Sequence, residues 1–379
     1  MNVHENILLV ANYDSDVGYA WWLMENFWAE IAKHFGRQGR RCVLIYPKLN
    51  GLPEIIASSD IKVVEHDFND RSASGLVRLA AIIRRHRIRS VYLTDREYYA
   101  PMYAFLRLVG VRVIVQHDHK PGERPPARFP KKFLKKLIYA ARILSCDHYI
   151  AVSDFVRKRM ISSAAIPAER CTTVLNGIRR PGEQARRSGT IRKSFGIPDE
   201  AIVVISTGRA VYYKGIDFII ECAAHLVCGM KRTELYFIHC GDGPDLEAFK
   251  SQAASSGLAG HFIFAGHRND VRDFLLDADI GIQASKGEAF SLSILEYMDA
   301  GLATIVPDVC GNGEAVRHEE TGVLYAPGDR DAVSGWILKL ASDSSLRHKL
   351  GHAAAHAVKE QFDIRRTNRQ LLELLDRVL

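Results

Sequence analysis

Two cations and two carboxylates are spaced so that they could handle a phosphorylated sugar. Arg209 and Lys214 lie in RAVYYKG, 209–215, which follows Gly208 and runs into a segment with helical character. Two cations beside a helix N-terminus suit a diphosphate, because side-chain charge and unsatisfied amides then face one anion. Glu288 and Glu296 lie in SKGEAFSLSILEYMDAG, 285–301. Glu288 falls in the loop, and Glu296 lies about two turns down the helix that follows, where a carboxylate can accept two bonds from a ribose diol. The amides of Phe290, Ser291 and Leu292 open that helix and could bind the second face of a diphosphate. The chain has no G-x-x-x-x-G-K-[ST] segment, so this is not a Walker nucleotide loop. Each pair alone could equally be solvated loop cations, a capping carboxylate or surface charge.

These residues need elements to hold them. Short β-branched runs alternate with helical patterns along the whole chain. Strands are expected at 7–11, 41–47, 61–68, 90–94, 111–117, 148–153 and 172–176, then at 201–207, 234–241, 261–266, 280–285, 303–307 and 322–327. Near-continuous apolar strands separated by helices imply parallel sheets covered on both faces. The fold class is therefore α/β, with two Rossmann-like, doubly wound domains facing across a cleft. The expected layout is an N-terminal domain over 1–178 and a Gly-, Arg- and Ser-rich linker over 179–200. A C-terminal domain over 201–362 and a last helix over 363–379, packing back towards the N-terminal domain, complete it. In such folds ligands sit at loops following the strands. Arg209, Lys214, Glu288 and the GDGP turn containing Gly243 all fall there.

As an ordered set, Gly208 with RAVYYKG, GDGP at 241, FAG at 264, the Glu288–Glu296 pair and CGNGEAV at 310 resemble the retaining GT-B glycosyltransferases of family four. AVSDFVRKRM (151–160) and VLNGI (174–178) extend the likeness into the first half. The resemblance implies a transferase taking sugar from a UDP- or GDP-linked donor to a cell-envelope glycan or lipid-linked acceptor. It assigns donor-diphosphate contacts to Arg209 and Lys214, the ribose to Glu296 and the transferred sugar's hydroxyls to Glu288. Gly18, Gly243, Phe290, Ser291 and Leu292 join the donor site, and His267, in AGHRND, lies near the nucleobase. His117, in QHDH, becomes a catalytic-side histidine touching the donor sugar. No metal and no cofactor are expected, the two cations standing in for a divalent ion. The sequence departs from the family at Ala289 and Ser291, where glycines are common, and at the first loop, NYDSDVGYAWW, where Gly18 stands alone. The competing class is a GT-B-like scaffold that binds without catalysis, or a transferase with a non-envelope acceptor.

Composition bounds these readings. With 379 residues and 47% hydrophobic content, the chain can bury large cores, which excludes a disordered chain or a disulfide-stapled miniprotein. No apolar run approaches the ~18 residues of a membrane span, and the first residues carry no basic leader. Seven scattered cysteines without a C-x-x-C or zinc spacing read as core residues in a reducing compartment, most simply the cytoplasm. The net charge of +7 divides into +10 over residues 1–178, +3 over 179–200 and −6 over 201–379. The basic half favours an anionic partner, though no nucleic acid is expected. Within it, PKKFLKKLIYAARIL (130–144) forms an amphipathic helix. Its apolar stripe is Phe133, Leu137, Ala140, Ala141 and Leu144, flanked by Lys131, Lys132, Lys135, Lys136 and Arg142. Such a helix either lies on an anionic membrane surface or is an ordinary surface helix with its charges in water.

Overall fold

Runs such as ILLV, CVLIY and IVVIST are apolar at nearly every position, so their strands need cover on both faces. In the computed structural model, which describes residues 5–18, 21–180 and 189–379, they have it. The first sheet comprises β1 (Asn6–Val10), β2 (Cys42–Tyr46), β3 (Lys62–Glu65), β4 (Ile88–Thr94), β5 (Val113–Asp118), β6 (His148–Ala151) and β7 (Cys171–Thr173). Its order is β3-β2-β1-β4-β5-β6-β7, and every pairing is parallel. The second comprises β8 (Ile202–Thr207), β9 (Leu235–Cys240), β10 (Phe262–Gly266), β11 (Ile280–Ile282), β12 (Ala303–Pro307) and β13 (Val323–Tyr325). Its order is β10-β9-β8-β11-β12-β13, again parallel throughout. Each sheet reverses its winding once, between β1 and β4 and between β8 and β11. Loops diverge at such a reversal and leave a crevice beyond the strands' carboxyl ends.

The chain divides into two compact units. The first takes in the chain up to Lys120, then Arg124–Leu175 and Thr367–Leu379; the second takes in Pro121–Glu123 and Asn176–Arg366. The final helix, Ile364–Val378, crosses that boundary. Its larger part is held in the first unit by Asn26 Nδ2 donating to Asn368 Oδ1 (3.0 Å) and by the His34–Asp376 contact (2.8 Å). Part of the stretch read as linker is structured: Thr190–Phe195 is helical, and the amides of Gly189 and Ile191 donate to the Asp277 carboxylate (2.8 and 3.1 Å). Ile191 is fully buried with Ile197, Val203, Phe274 and Tyr297. The low apolar content of 179–200 hides this helix, because two isoleucines and a backbone-capping aspartate are enough to dock it.

Helix starts follow local chemistry. Ser72, Ser153, Asp329 and Asp343 each accept an amide bond from the first turn of the helix they precede, as N-cap residues do. None of the seven cysteines forms a disulfide; five are buried, as a core reading expects of them, whereas Cys228 and Cys310 are partly exposed.

Candidate functional site

Arg209, Lys214 and Glu288 follow the two strands of the second unit's winding reversal, β8 and β11, whereas Gly243 follows β9 and His267 follows the edge strand β10. The loop after β8, residues 208–215, meets the loop after β11 through backbone contacts. The Lys286 amide donates to the Tyr213 carbonyl (2.9 Å), and the Tyr213 hydroxyl donates to the Gly287 carbonyl. Two glycines let the loops after β8, β9 and β11 approach one another. Gly215 has φ +70°, and a Cβ there would collide with the Ala284 carbonyl. Gly241 has φ +154°, and a Cβ there would collide with the Gly208 carbonyl. Only glycine tolerates both the backbone angle and the missing space. The Gly208 amide donates to the Cys240 carbonyl (3.0 Å), and the Gly241 amide to the Gly266 carbonyl (2.8 Å), so three consecutive strand ends are tied side by side. Gly243 lies in the same turn, its amide on Asp242 Oδ1 (2.7 Å).

Lys214 and Glu288, assigned to different parts of a ligand by the sequence, are in direct contact. Lys214 Nζ donates to Glu288 Oε1 at 2.6 Å, with both side chains partly buried. Glu288 is held from behind: the Gly311 amide donates to its carbonyl (2.9 Å), and Asn312 Nδ2 donates to the buried Ser285 hydroxyl (3.2 Å). Arg209 is exposed, and its guanidinium makes no hydrogen bond or ion pair among the described residues. One cation is therefore free for an anion, and the other is steered by a carboxylate.

The helix after this loop spans Leu292–Asp299, with Ser291 at its N-cap. Phe290 is buried, its ring 5.6 Å from Phe362. Phe290 therefore contributes backbone rather than side chain to any ligand. The Ser291 hydroxyl points into the protein, accepting from Gln283 Nε2 (3.3 Å), and does not cap the helix. The amides of the first turn, Leu292 and Ser293, have no intrahelical partner. Glu296 is half-buried on this helix. Sequence reasoning missed what fixes the helix: Tyr297 is fully buried, and its hydroxyl meets the Thr207 amide (2.6 Å) and Oγ1 (3.0 Å) at the end of β8. The signal was present as a tyrosine one residue past Glu296, on the face opposite solvent. His267 is exposed in the loop after β10, where Arg268 and Asp270 pair with each other (2.7 Å). Beneath the glycine loops, His239 contacts the Ser206 hydroxyl through Nδ1 (2.9 Å), and burial pushes its pKa down to about 4.

The first unit has its own cluster at the carboxyl ends of β1, β4 and β5. His117, one residue before the end of β5, is completely buried, covered by Phe27 (5.3 Å between ring centres) and His119 (4.2 Å). Its Nδ1 meets the Tyr92 hydroxyl at 2.6 Å, while Nε2 has no hydrogen-bond partner among the described residues. Burial, then the neighbouring His119, holds its pKa well below the ordinary value, so the ring is neutral. His119, not singled out from QHDH, lies nearer solvent; its amide donates to Asp95 Oδ1 (2.6 Å). Its ring nitrogens also lack hydrogen-bond partners among the described residues. Asp118 accepts from Arg159 (3.3 Å) and from the Tyr98 hydroxyl, all three buried. Burial raises the Glu25 carboxyl to about 7. Gly18 is exposed in the loop after β1, its carbonyl accepting from the Trp21 amide (3.1 Å).

The basic amphipathic segment is a helix over Lys131–Ala141. Its apolar stripe faces outward: Phe133, Leu134 and Leu137 are exposed, as are Phe129 before it and Ile143 after it. The expected stripe needs two corrections. Leu144 lies beyond the helix and is half-buried, and Lys135 sits on the inner side, donating to the Ser163 carbonyl (2.8 Å). Buried Tyr139 shares that inner side. No helix among the described residues is long and apolar enough to cross a membrane.

Two parallel α/β units, one carrying glycine-bound strand-end loops with cations and carboxylates, define the class to which comparison with known proteins then gives a family. The profile of glycosyl transferases group 1 matches residues 188–357, and that of glycosyltransferase family 4 matches residues 24–180. The chain belongs to the group 1 glycosyltransferases, and its fold is GT-B. It is 29% identical over 184 residues to the lipopolysaccharide core biosynthesis glycosyltransferase LpsE of Rhizobium meliloti, covering 48% of this chain and 52% of that one. The chain spans about half the length of such curated relatives. Among solved structures, a glycosyltransferase from Rickettsia africae superposes with a TM-score of 0.80 at 19% identity, over 99% of both chains. HepE of Anabaena in complex with UDP-glucose superposes with a TM-score of 0.77 at 19% identity, over 98% of this chain and 100% of that one.

Proposed function

We infer that the protein is a retaining glycosyltransferase. It moves a sugar from a UDP- or GDP-linked donor to a cell-envelope glycan or lipid-linked acceptor at the cytoplasmic face of a membrane. The observation that carries this reading is the Lys214–Glu288 pair beside unpaired Arg209, at the mouth of a helix whose first amides lack intrahelical partners. A donor diphosphate placed there meets two cations and a helix N-terminus. Arg209 and Lys214 offset the charge that builds on the departing nucleotide. Glu288 is then positioned by Lys214 to accept from sugar hydroxyls, and Glu296 to accept from the ribose. Attack occurs on the face the nucleotide leaves, assisted by the leaving phosphate, so the anomeric configuration is kept. His117, neutral in its buried setting, remains the first unit's candidate for the catalytic-side histidine, with His119 beside it. HepE, a fold neighbour, binds UDP-glucose, and LpsE acts in lipopolysaccharide core biosynthesis; both agree with this reading.

The reaction needs no divalent metal in this reading, because the two cations carry the leaving charge. Turnover with a matched nucleotide sugar should stay within about twofold in EDTA. A chelator-dependent loss restored by magnesium would overturn the metal-independent form. Release of free UDP or GDP from a panel of donors, with product anomers assigned by NMR, tests the rest. An inverted product would overturn retention. No transfer from any donor, with donor binding intact, would leave a binding protein instead.

A further inference from the structure

The helix Lys131–Ala141 is mounted with its apolar side outward. A surface helix of a soluble domain ordinarily turns its apolar stripe to the core and its charges to water. Here Phe133, Leu134 and Leu137 are 57%, 60% and 51% exposed, while Lys135 and Tyr139 face the protein. Phe129 and Ile143 extend the exposed apolar surface at both ends, at 84% and 57%. From Arg124 to Leu144 the chain carries seven cations and no carboxylate. At 3.6 residues per turn, Lys131 flanks the apolar stripe on one side and Lys132 and Lys136 on the other.

A cavity of about 610 Å³ adjoins the Lys132 side. Its walls include Lys132, Lys136 and Arg142, with Ile161 and Ile166 supplying apolar surface; Glu169 is the carboxylate among the lining residues. Lys132, Lys136 and Arg142 make no ion pair or hydrogen bond through their side chains among the described residues. Tyr139 also lines it, and its buried hydroxyl has no hydrogen-bond partner among the described residues.

We propose that this face docks on an anionic phospholipid bilayer, with Phe129, Phe133, Leu134, Leu137 and Ile143 entering the acyl boundary and a lipid phosphate seated against Lys132, Lys136 and Arg142. The chemistry selects lipid over a protein partner. Protein interfaces are depleted in lysine at their centres, whereas an apolar stripe edged by lysines is the arrangement that lies in a headgroup layer. The cavity gives the phosphate a seat with polar groups waiting for it. This deepens the membrane-face reading above and rests on it.

The test is flotation of the full chain with vesicles of phosphatidylcholine alone and with one-third phosphatidylglycerol, beside a thermal shift with UDP- and GDP-sugars on the same samples. The chain should bind the anionic vesicles at least about tenfold more tightly, and binding should weaken with salt. The triple variant Lys132→Ser, Lys136→Ser, Arg142→Ser should lose the preference for phosphatidylglycerol. The triple variant Phe133→Ser, Leu134→Ser, Leu137→Ser should lose the part of binding that survives high salt. Phe133→Trp should show a blue-shifted emission on anionic vesicles. Absence of flotation, or variants that float like the parent, would overturn the docking face. A donor-induced shift that persists in that case leaves the transferase reading standing, and its absence alongside intact flotation removes that reading while this one holds.

Discussion

At the strand ends of the first unit, side chains occupy the space. His117, Tyr92, Asp118, Tyr98 and Arg159 are buried there and bonded mainly to one another. At the strand ends of the second unit, backbone occupies it. Gly208, Gly215 and Gly241 let three loops touch, and the charged groups Arg209, Lys214 and Glu288 stand at the edge. The two sheets share one winding but divide the labour differently. The first is a preorganised buried polar cluster in which some atoms, such as His117 Nε2, have no hydrogen-bond partner among the described residues. The second brings amides and long-stemmed cations to a site a highly charged ligand can enter. A diphosphate needs the second arrangement, because its charge must be met by groups that keep little desolvation cost when the site is empty.

The sharpest way to break this contrast is to fill the second unit's loop contact. Gly241→Val places a side chain against the Gly208 carbonyl at a backbone angle L-residues avoid. It should cost about 3 kcal/mol or more of stability in chemical denaturation and abolish donor binding. Glu288→Ala and Lys214→Ala should leave the melting temperature nearly unchanged while cutting turnover by about a hundredfold or more. Near-parental turnover in both variants would remove the pair from the chemistry. Tyr297→Phe leaves the Thr207 amide without its buried partner. About 1–2 kcal/mol of stability should be lost, with a smaller fall in turnover as the helix start shifts.

The smallest effects separate the units by pH. Burial raises the Glu25 carboxyl from 4.5 to about 7, so the folded chain holds this proton more tightly than the unfolded one. The stability this group contributes is fullest below pH 4.5 and falls as pH rises towards 7. Glu25→Gln should remove that fall and stabilise the chain at pH 8 by about 1 kcal/mol. His239 runs the other way: its pKa is lowered from 6.5 to about 4, so its contribution is present above pH 6.5 and lost as pH falls towards 4. Denaturation midpoints of Glu25→Gln and His239→Gln, each measured against the parent across pH 4–8, should move in opposite senses. Parallel profiles would contradict both burial arguments.

Much of this was legible in the sequence because strands of a doubly covered parallel sheet are written as unbroken apolar runs; all thirteen overlap the runs that predict them. Loop positions of Arg209, Lys214, Gly243 and Glu288 follow directly from strand ends. Three features were not legible. The contact between Lys214 and Glu288 depends on how loops after β8 and β11 meet across the sheet reversal, 74 positions apart in the chain. The anchoring of Tyr297 on Thr207 is equally long-range. The outward mounting of Phe133, Leu134 and Leu137 cannot be read from periodicity, which defines a stripe but not the side that faces the core.

In the proposed reaction the strand-end loops of the second unit hold a nucleotide sugar through Arg209, Lys214 and their neighbours. Titration calorimetry of UDP- and GDP-sugars into the protein, the Arg209→Ala variant and the Lys214→Ala variant measures that hold. Saturable one-site binding to at least one donor is expected, weakened about tenfold or more in each variant. Binding of equal strength in all three proteins would contradict it.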